Sequence, residues 1–408
     1  MRKRLFIFAV VAAMSSAVSA DMLDTAKFRR VLNFTASGYD GSETLENFPA
    51  LVRFSEESVT GFRYAELGGT TNEVYAALRF ADASGRNLDY EIDIWDTNGL
   101  SAVWVSLPEL SGRTTKFKAY WSAVQSYALP AVHPTNVWTS AGYVGVWHFS
   151  HRGGSTASTA YSSDSTGRGS DIMSPDEWAT WWLASPRVDA SCNANGTPWY
   201  SNGARGNAIN TGDWTFSQTG YSVEAWTLNA GYGDNNTYIF SSASREVNGA
   251  EKEWRPTNGM QLYRVNAYLM DGVGANSEVV VDRAWEGDAT NDWHYLSAVW
   301  SPEGSSDRSI LYEAGVGYEN ECRVLRRTSR NAIDFTGGDD RFRGGMGIIG
   351  AWDNGGSNVY CVDEPRVRRQ LSSTDWIQAN WDTQRNGTDF LTVGEVKRRT
   401  IGLSIRYR

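Results

Sequence analysis

The sequence predicts an all-β protein made of two domains. Short runs of alternating apolar and polar residues, bounded by Gly, Asn, Asp and Ser, recur along the chain, and long helical periodicities are rare. The 408 residues exceed what one ordinary hydrophobic core accommodates. Gly is frequent, with 40 residues, and Pro is sparse, with 10, which suits many short strands joined by turns.

The first domain, residues 21–142, is predicted to be an antiparallel β-sandwich. The Asn98-Gly99 pair between two apolar runs predicts a hairpin. The strands are expected at 48–54, 74–81, 88–95, 101–108 and 115–121.

The second domain, residues 143–396, is predicted to be a two-sheet sandwich or jelly roll, because short strands follow one another at roughly regular spacing. One helix is expected within SSTDWIQANWDTQ, with Ser372 or Ser373 as its N-cap. Residues 397–408 are basic and are expected to form a tail or a terminal strand. The strands are expected around YVGVWHF, AINTGDWTF, YSVEAWTL, NTYIFSSA, GMQLYRVN, EVVVDRAW, WHYLSAVW, RSILYEAG and FRGGMGIIGAW.

The first 20 residues have the pattern of a secretory signal peptide. Three basic residues precede the short apolar run 5–13, and Val18-Ser19-Ala20 fits a cleavage site. The mature chain is expected to start at Asp21 without a transmembrane segment, in the periplasm, at the cell surface or secreted. Loss of the three basic residues would change the net charge from −9 to −12, which argues against nucleic acid as a partner.

Three cysteines, Cys192, Cys322 and Cys361, allow one disulfide in an exported protein and leave one thiol over. The sequence does not select the pair.

The stretch DYEIDIWD contains three carboxylates, Glu91, Asp93 and Asp96, at the spacing E-x-D-x-x-D. This spacing resembles the E-x-D-x-x-E signature of jelly-roll polysaccharide hydrolases such as laminarinases and agarases. In a hydrolase, Glu91 would be the nucleophile, Asp93 would position it, and Asp96 would be the acid/base. However, an aspartate is shorter than the glutamate such sites use, and strand alternation points Asp96 away from the other two. We therefore expect a solvated strand face and no catalysis, with a glycoside hydrolase as the alternative.

The first domain resembles a bacterial exported domain of unknown function. The resemblance covers about 120 residues and rests on LRFADASGRNLDYEIDIWD, AVWVSLPEL, FKAYW and GYVGVWHF. In that family, a segment comparable to GYVGVWHF connects the domain to a concanavalin A-like sandwich.

The second domain resembles the laminin-G-like lectin/glucanase superfamily, which implies a concanavalin A-like jelly roll. The last matching segment contains Pro365 where the family usually has valine. The resemblance rests on VWHF, DSTG, GNAINTG, YSVEAWTL, WHYLSAVW and VDEPRVRRQLSSTDWI.

Calcium is the cofactor that this superfamily implies. Asp164 in the DSTG turn and Asp363 at the start of the last long strand are the candidate ligands, since loop oxygens suit calcium. The alternative for Asp164 is an Asx turn, and the alternative for Asp363 is an ordinary strand position.

An aromatic-rich segment is the candidate ligand site, because exposed rings can form a platform for sugars. Its rings could equally cover the sandwich as a second small core. The aromatic residues are Trp178, Trp181, Trp182, Trp199 and Tyr200.

The four histidines show no metal-binding spacing, and His148 is predicted to be structural.

Together these features predict an exported, non-catalytic protein that recognises carbohydrate or another cell-surface ligand, for example as an adhesin. This expectation rests on similarity of fold, which is a weak guide to function. Two alternatives are open: a glycoside hydrolase, and a structural component of the cell envelope or of adhesion.

Overall fold

The computed structural model describes residues 22–148, 161–168, 360–385 and 390–400, together with the strands that lie between them. This part of the chain consists mainly of strands in antiparallel sheets, with few helices, which confirms the predicted all-β class. No helix within these residues has the length and apolarity that crossing a membrane would require. The predicted signal peptide, residues 1–20, lies outside the described residues.

The first region contains seven strands and two short helices. The strands are β1 (Phe28–Thr35), β2 (Leu45–Phe54), β3 (Arg79–Asp82), β4 (Asn87–Leu88), β5 (Tyr90–Ile94), β6 (Ser101–Leu110) and β7 (Lys116–Ala123). The helices are α1 (Thr71–Ala77) and α2 (Asn136–Thr139), and short 3₁₀ turns lie at Thr25–Lys27, Tyr64–Glu66 and Gly112–Thr114.

The second region continues with β8 (Tyr143–Val146), β9 (Tyr161–Ser162), β10 (Ile172–Met173), β11 (Ala208–Ile209), β12 (Tyr221–Asn229), β13 (Thr237–Val247), β14 (Ala250–Tyr263), β15 (Asn266–Asp271) and β16 (Val279–Arg283). It ends with β17 (Trp293–Trp300), β18 (Ser309–Ala314), β19 (Arg323–Thr328), β20 (Met346–Ala351), β21 (Tyr360–Arg368) and α3 (Thr374–Gln384), followed by β22 (Thr392–Val393) and β23 (Lys397–Arg398).

The first region is a sandwich of two antiparallel sheets. One sheet has the order β22-β1-β7-β3-β4, with β23 also paired to β1, and the other has the order β2-β6-β5. Aromatic side chains fill the space between the sheets, as in the edge-to-face contact of Phe34 with Phe54, whose ring centroids are 6.3 Å apart. Both β22 and β23 belong to this sheet, although the sequence places them at the end of the second domain and in the tail.

One predicted strand is partly a helix. The sequence predicts a strand over residues 74–81, but α1 extends to Ala77 and β3 begins at Arg79. A capping box explains the difference, because the side chain of Thr70 accepts from the Glu73 amide while Glu73 accepts from the Thr70 amide. The predicted hairpin at Asn98-Gly99 is confirmed, since β5 and β6 pair on either side of it.

The second region contains two six-stranded antiparallel sheets. Their orders are β11-β20-β13-β14-β15-β16 and β19-β18-β17-β12-β21-β8. Strands of one sheet contact strands of the other, as β15 does with β18 and β16 with β19. The concanavalin A-like jelly-roll connectivity stays a prediction.

Helix α3 packs between the two regions. Ser373 is its N-cap, which resolves the choice between Ser372 and Ser373. On one side, the hydroxyl of Thr383 accepts from the Leu51 amide of β2 at 3.0 Å. On the other, the side-chain oxygen of Gln384 accepts from the indole N–H of Trp226 in β12 at 2.9 Å. The helix therefore covers the free edge of β2 and also contacts the second region.

Candidate functional site

Ionisable side chains from both regions meet in a buried layer, where the three-stranded sheet of the first region contacts β21 and His148, which follows β8. We call this group the junction cluster, and it consists of Glu91, Asp93, His148, Glu224, Glu364 and Arg366.

Strand pairing brings the second-region members of the cluster together. Residue Arg366 lies opposite Val146 of β8 on one side and opposite Glu224 of β12 on the other. The ladder continues past β8, since the Trp147 amide donates to the Pro365 carbonyl at 3.2 Å, and this places His148 beside Glu364. Cross-strand neighbours on one face are close enough to interact directly.

The imidazole of His148 lies between carboxylates from both regions. Its Nδ1 is 2.7 Å from Oε1 of Glu364 and 3.7 Å from Oδ2 of Asp93. Its Nε2 is 3.3 Å from Oε2 of Glu91, which also accepts a short hydrogen bond from the indole of Trp138. Both ring nitrogens therefore face acceptors.

The guanidinium of Arg366 is fully buried. It forms ion pairs with residues of the second region and stacks on aromatic rings of the first. It donates to Oε2 of Glu364 at 2.5 Å and lies 3.4 Å from Oε1 of Glu224. Its central carbon lies 4.2 Å from the ring centroid of Trp104 and 4.7 Å from that of Trp138. Stacking on aromatic faces and ion pairing are both favourable for a guanidinium.

The carboxylate of Glu224 is satisfied by hydroxyl groups. Tyr143 donates to Oε1 at 2.9 Å, and Tyr295 donates to Oε2 at 2.7 Å. The Tyr143 oxygen in turn accepts from the side-chain amide of Asn380 in α3 at 3.2 Å. Burial raises the pKa of Tyr143, and the nearby Glu224 adds to that effect.

The cluster favours the charged forms of His148 and Glu364. Burial alone would lower the pKa of His148, but the carboxylates of Glu364 and Asp93 outweigh it and hold this pKa well above its usual value. Burial alone would raise the pKa of Glu364, but His148 and Arg366 hold it below its usual value. The surrounding carboxylates therefore favour the protonated imidazole over the neutral one.

The backbone at Glu364 is in the left-handed region, with φ of 53°. For a residue other than glycine this conformation costs of order 1–3 kcal/mol, and it persists where the surroundings impose it. Opposite this point the register of β12 shifts between Glu224 and Trp226, so Pro365 lies at an irregularity, where a strand tolerates a missing amide. The carboxylate of Glu364 is thereby directed at His148 and Arg366.

The expectation of a solvated face on β5 was wrong. Glu91 and Asp93 do share a face, but their side chains are only 15% and 3% exposed, because Trp138 and His148 cover them. A break in register between Ile92 and Ile94 places Asp93 at a bulge. The sequence pattern identified the shared face but not what packs on it.

The third carboxylate of the sequence motif, Asp96, stabilises a turn. Its side chain accepts from the Asn98 amide at 2.9 Å, and its amide donates to the hydroxyl of Ser101 at 2.8 Å. These bonds hold the turn between β5 and β6.

The two predicted calcium ligands are buried and hydrogen-bonded. The carboxylate of Asp164 accepts from the amide and hydroxyl of Thr166 at 2.9 and 2.7 Å, as an Asx turn requires. Asp363 accepts from the Glu364 amide at 3.0 Å. Neither belongs to a group of three or more His, Cys, Asp or Glu ligand atoms within 4.8 Å of one another in the described residues. These contacts favour the turn role for Asp164, and the calcium site stays a prediction.

Other predicted residues fall elsewhere. The aromatic candidates Trp178, Trp181, Trp182, Trp199 and Tyr200 lie outside the described residues, as do Cys192 and Cys322. Cys361 lies in β21, opposite Leu228.

Sequence reasoning did not find Glu224, Glu364 or Arg366 as site residues. A signal was present in YSVEAWTL and DEPRVRR, where charged residues occupy strands with apolar neighbours on both sides. Charged residues are seldom fully buried unless paired, so a charge of each sign in adjacent buried strands indicates an internal ion pair.

No model of a known protein family matches the chain, and no curated protein matches it. Among solved structures, the chain is similar to the Trypanosoma rangeli sialidase, with 10% identity, a TM-score of 0.33, and coverage of 71% of this chain and 43% of the sialidase. It is similar to the binding domain of botulinum neurotoxin serotype D/C, with 7% identity, a TM-score of 0.26, and coverage of 41% and 37%.

A third similar structure is the endo-β-1,4-glucuronan lyase of the fungus Trichoderma reesei, with 11% identity, a TM-score of 0.27, and coverage of 45% of this chain and 79% of the lyase. The chain thus spans less than half the length of the sialidase and of the toxin domain. These similarities are too slight to assign a function.

Proposed function

We propose that the protein is an exported, non-catalytic binding protein whose ligand is a carbohydrate or another cell-surface molecule. The observation that supports a non-catalytic role is the position of Glu91 and Asp93. Glu91 is held between Trp138 and His148, and the side chain of Asp93 is 3% exposed. Both carboxyl groups are engaged inside the protein.

A glycoside hydrolase makes different demands on its carboxyl groups. A retaining enzyme places two of them about 5–5.5 Å apart on either side of the glycosidic bond, so both must reach the substrate. Here the rings of Trp138 and His148 pack beside Glu91, and Asp96 is bonded within its own turn. The hydrolase alternative therefore has less support than binding.

The nature of the ligand and the export are inferred from the sequence. Three tryptophans within Trp178–Trp182, with Trp199 and Tyr200 nearby, supply aromatic area of the kind that packs against sugar rings. The basic and apolar start of the chain supports export.

Electrophoresis in native gels containing single polysaccharides tests the proposal. We expect one glycan to retard the protein, the change of Trp181 and Trp182 together to Ala to weaken the retardation, and Glu91→Gln to leave it unchanged. Running each gel with calcium and again with chelator tests the calcium prediction. Reducing ends released by the unchanged protein but not by Glu91→Gln would instead establish a hydrolase. Unaltered mobility across a broad panel would contradict carbohydrate binding and favour a structural envelope role with a protein partner.

A further inference from the structure

We propose that Asp93, His148 and Glu364 bind one divalent transition-metal ion, such as Zn²⁺, at the junction of the two regions. One ligand atom from each of these side chains lies within 4.8 Å of the other two. The inference is independent of the ligand proposed above, since it concerns different residues.

The spacing of the three ligand atoms suits one small cation. Nδ1 of His148 is 2.7 Å from Oε1 of Glu364 and 3.7 Å from Oδ2 of Asp93. In a tetrahedral zinc site with bonds of about 2.0–2.1 Å, ligand atoms are about 3.3 Å apart. To accommodate the ion, the distance from His148 to Glu364 would lengthen by about 0.6 Å and the distance from His148 to Asp93 would shorten by about 0.4 Å.

The surroundings of His148 resemble those of a metal-bound histidine. Its Nε2, which faces away from the proposed ion, is 3.3 Å from Oε2 of Glu91. Metal-binding histidines almost always donate their second N–H to an oxygen acceptor, often a carboxylate, which fixes the ring. Trp138 in turn holds Glu91, and Arg366 holds Oε2 of Glu364 at 2.5 Å, so both carboxylates are oriented by neighbours.

The charge balance also favours a bound cation. The junction cluster contains four carboxyl groups but only two basic side chains, His148 and Arg366. To bind the ion through Nδ1, His148 would have to be neutral, so the ion would take the place of a proton on that nitrogen. A divalent ion at this position would bring two positive charges among these carboxylates.

Ligand chemistry and burial define the class of site. One imidazole nitrogen with two carboxylates suits zinc and similar transition metals, whereas calcium takes about six to eight oxygen ligands. The side chains of the three ligands are at most 6% exposed, as in a closed structural site. The ligands come from β5, the residues after β8, and β21, so the ion would fasten the two regions together.

Metal binding to the purified full-length protein tests the proposal. After chelation and dialysis, we expect calorimetric titration to show one equivalent of Zn²⁺ bound and a raised thermal midpoint. The changes Asp93→Asn and His148→Gln should each weaken binding at least 100-fold, and Glu91→Gln about 10–100-fold. The matched control is Asp89→Asn, because this carboxylate precedes the same strand but binds the amides of His133 and Asn136 instead, so Zn²⁺ affinity should not change.

X-ray absorption at the zinc edge keeps the test decisive if a variant fails to fold, since it uses the unchanged protein. We expect one imidazole and only nitrogen and oxygen ligands at about 2.0–2.1 Å. Sulfur at about 2.3 Å would place the ion at the cysteines and overturn the proposal. Failure to bind Zn²⁺ stoichiometrically, or binding that Asp93→Asn and His148→Gln leave unchanged, would also overturn it.

Discussion

The guanidinium of Arg366 in β21 lies on the indole ring of Trp104 in β6, 4.2 Å from the ring centroid, and both residues are fully buried. This contact joins the central strand of the small sheet to the second region. It explains why β6 is buried on both faces from Ser101 to Leu107, which is unusual for a strand of a half-exposed antiparallel sheet.

Removing Arg366 should destabilise the protein strongly. The change Arg366→Met keeps much of the volume but leaves Glu224 buried without a cation and Glu364 with His148 alone, and breaking a buried ion pair in this way costs about 3–5 kcal/mol. Chemical denaturation followed by tryptophan fluorescence measures the loss. The matched control is Arg113→Met, because Arg113 pairs with Asp40 at a site where its side chain is 65% exposed, and such pairs are worth about 0–1 kcal/mol. Equal losses in the two variants would contradict the proposed importance of the junction cluster.

The hydroxyl of Thr383 should matter more than its methyl group. In Thr383→Val the shape is kept, but the Leu51 amide at the edge of β2 loses its acceptor, which should cost about 1–3 kcal/mol of unfolding free energy. The control is Thr383→Ser, which keeps the hydroxyl and is expected to retain the protection of the Leu51 amide. Hydrogen exchange at that amide reads out the bond directly, and unchanged exchange in Thr383→Val would show that the bond is unimportant.

Loss of the N-cap should weaken α3. Ser373 accepts from the Trp376 amide at 3.2 Å, so Ser373→Ala should cost about 0.5–2 kcal/mol, whereas Ser373→Thr, which keeps the hydroxyl, should retain most of the stability. Thermal denaturation compares the three proteins. If Ser373→Ala and Ser373→Thr gave the same midpoint, capping by Ser373 would not be what stabilises the start of the helix.

The pH dependence of stability should contain a contribution from Glu66. Burial alone would raise its pKa, but hydrogen bonds from Arg30 and Trp121 outweigh burial and lower the pKa below its ordinary value of 4.5. The folded-state pKa is thus below the unfolded one, so the stabilisation is present above the unfolded value and is lost as pH falls through the folded value.

We therefore expect Glu66→Gln to lower the free energy of unfolding at neutral pH and to reduce the further loss seen when the pH is taken below 4.5. Denaturant titrations at several pH values measure both quantities. Glu57→Gln changes an exposed carboxylate and should leave the stability at neutral pH unaltered. An unchanged pH profile in Glu66→Gln would contradict the assigned role.

Local features of the fold were predictable because they depend on neighbouring residues. Alternation placed Tyr90 and Ile92 on the buried face of β5, and Asn98-Gly99 marked its hairpin. The last helix was predicted from its spacing and its serine cap. The strand predicted over 74–81 failed in its first half, because the capping box of Thr70 and Glu73 stabilises a helix there.

The candidate site was predicted only in part. The motif identified Glu91 and Asp93 as unusual carboxylates on one face of a strand, but their interpretation as solvated was wrong. His148 is 57 residues from Glu91 and 216 from Glu364 along the chain, and no local pattern links positions so far apart.

The sequence by itself determined the all-β class, the positions of most strands in the first region and the face of β5 that Glu91 and Asp93 share, because alternation follows from backbone geometry alone. The tertiary structure decided what covers that face. Packing of Trp138 and His148 against the small sheet removes the carboxylates of Glu91 and Asp93 from water. An exposed acidic face thereby becomes a buried layer of paired charges, since charges removed from water are stable only with partners.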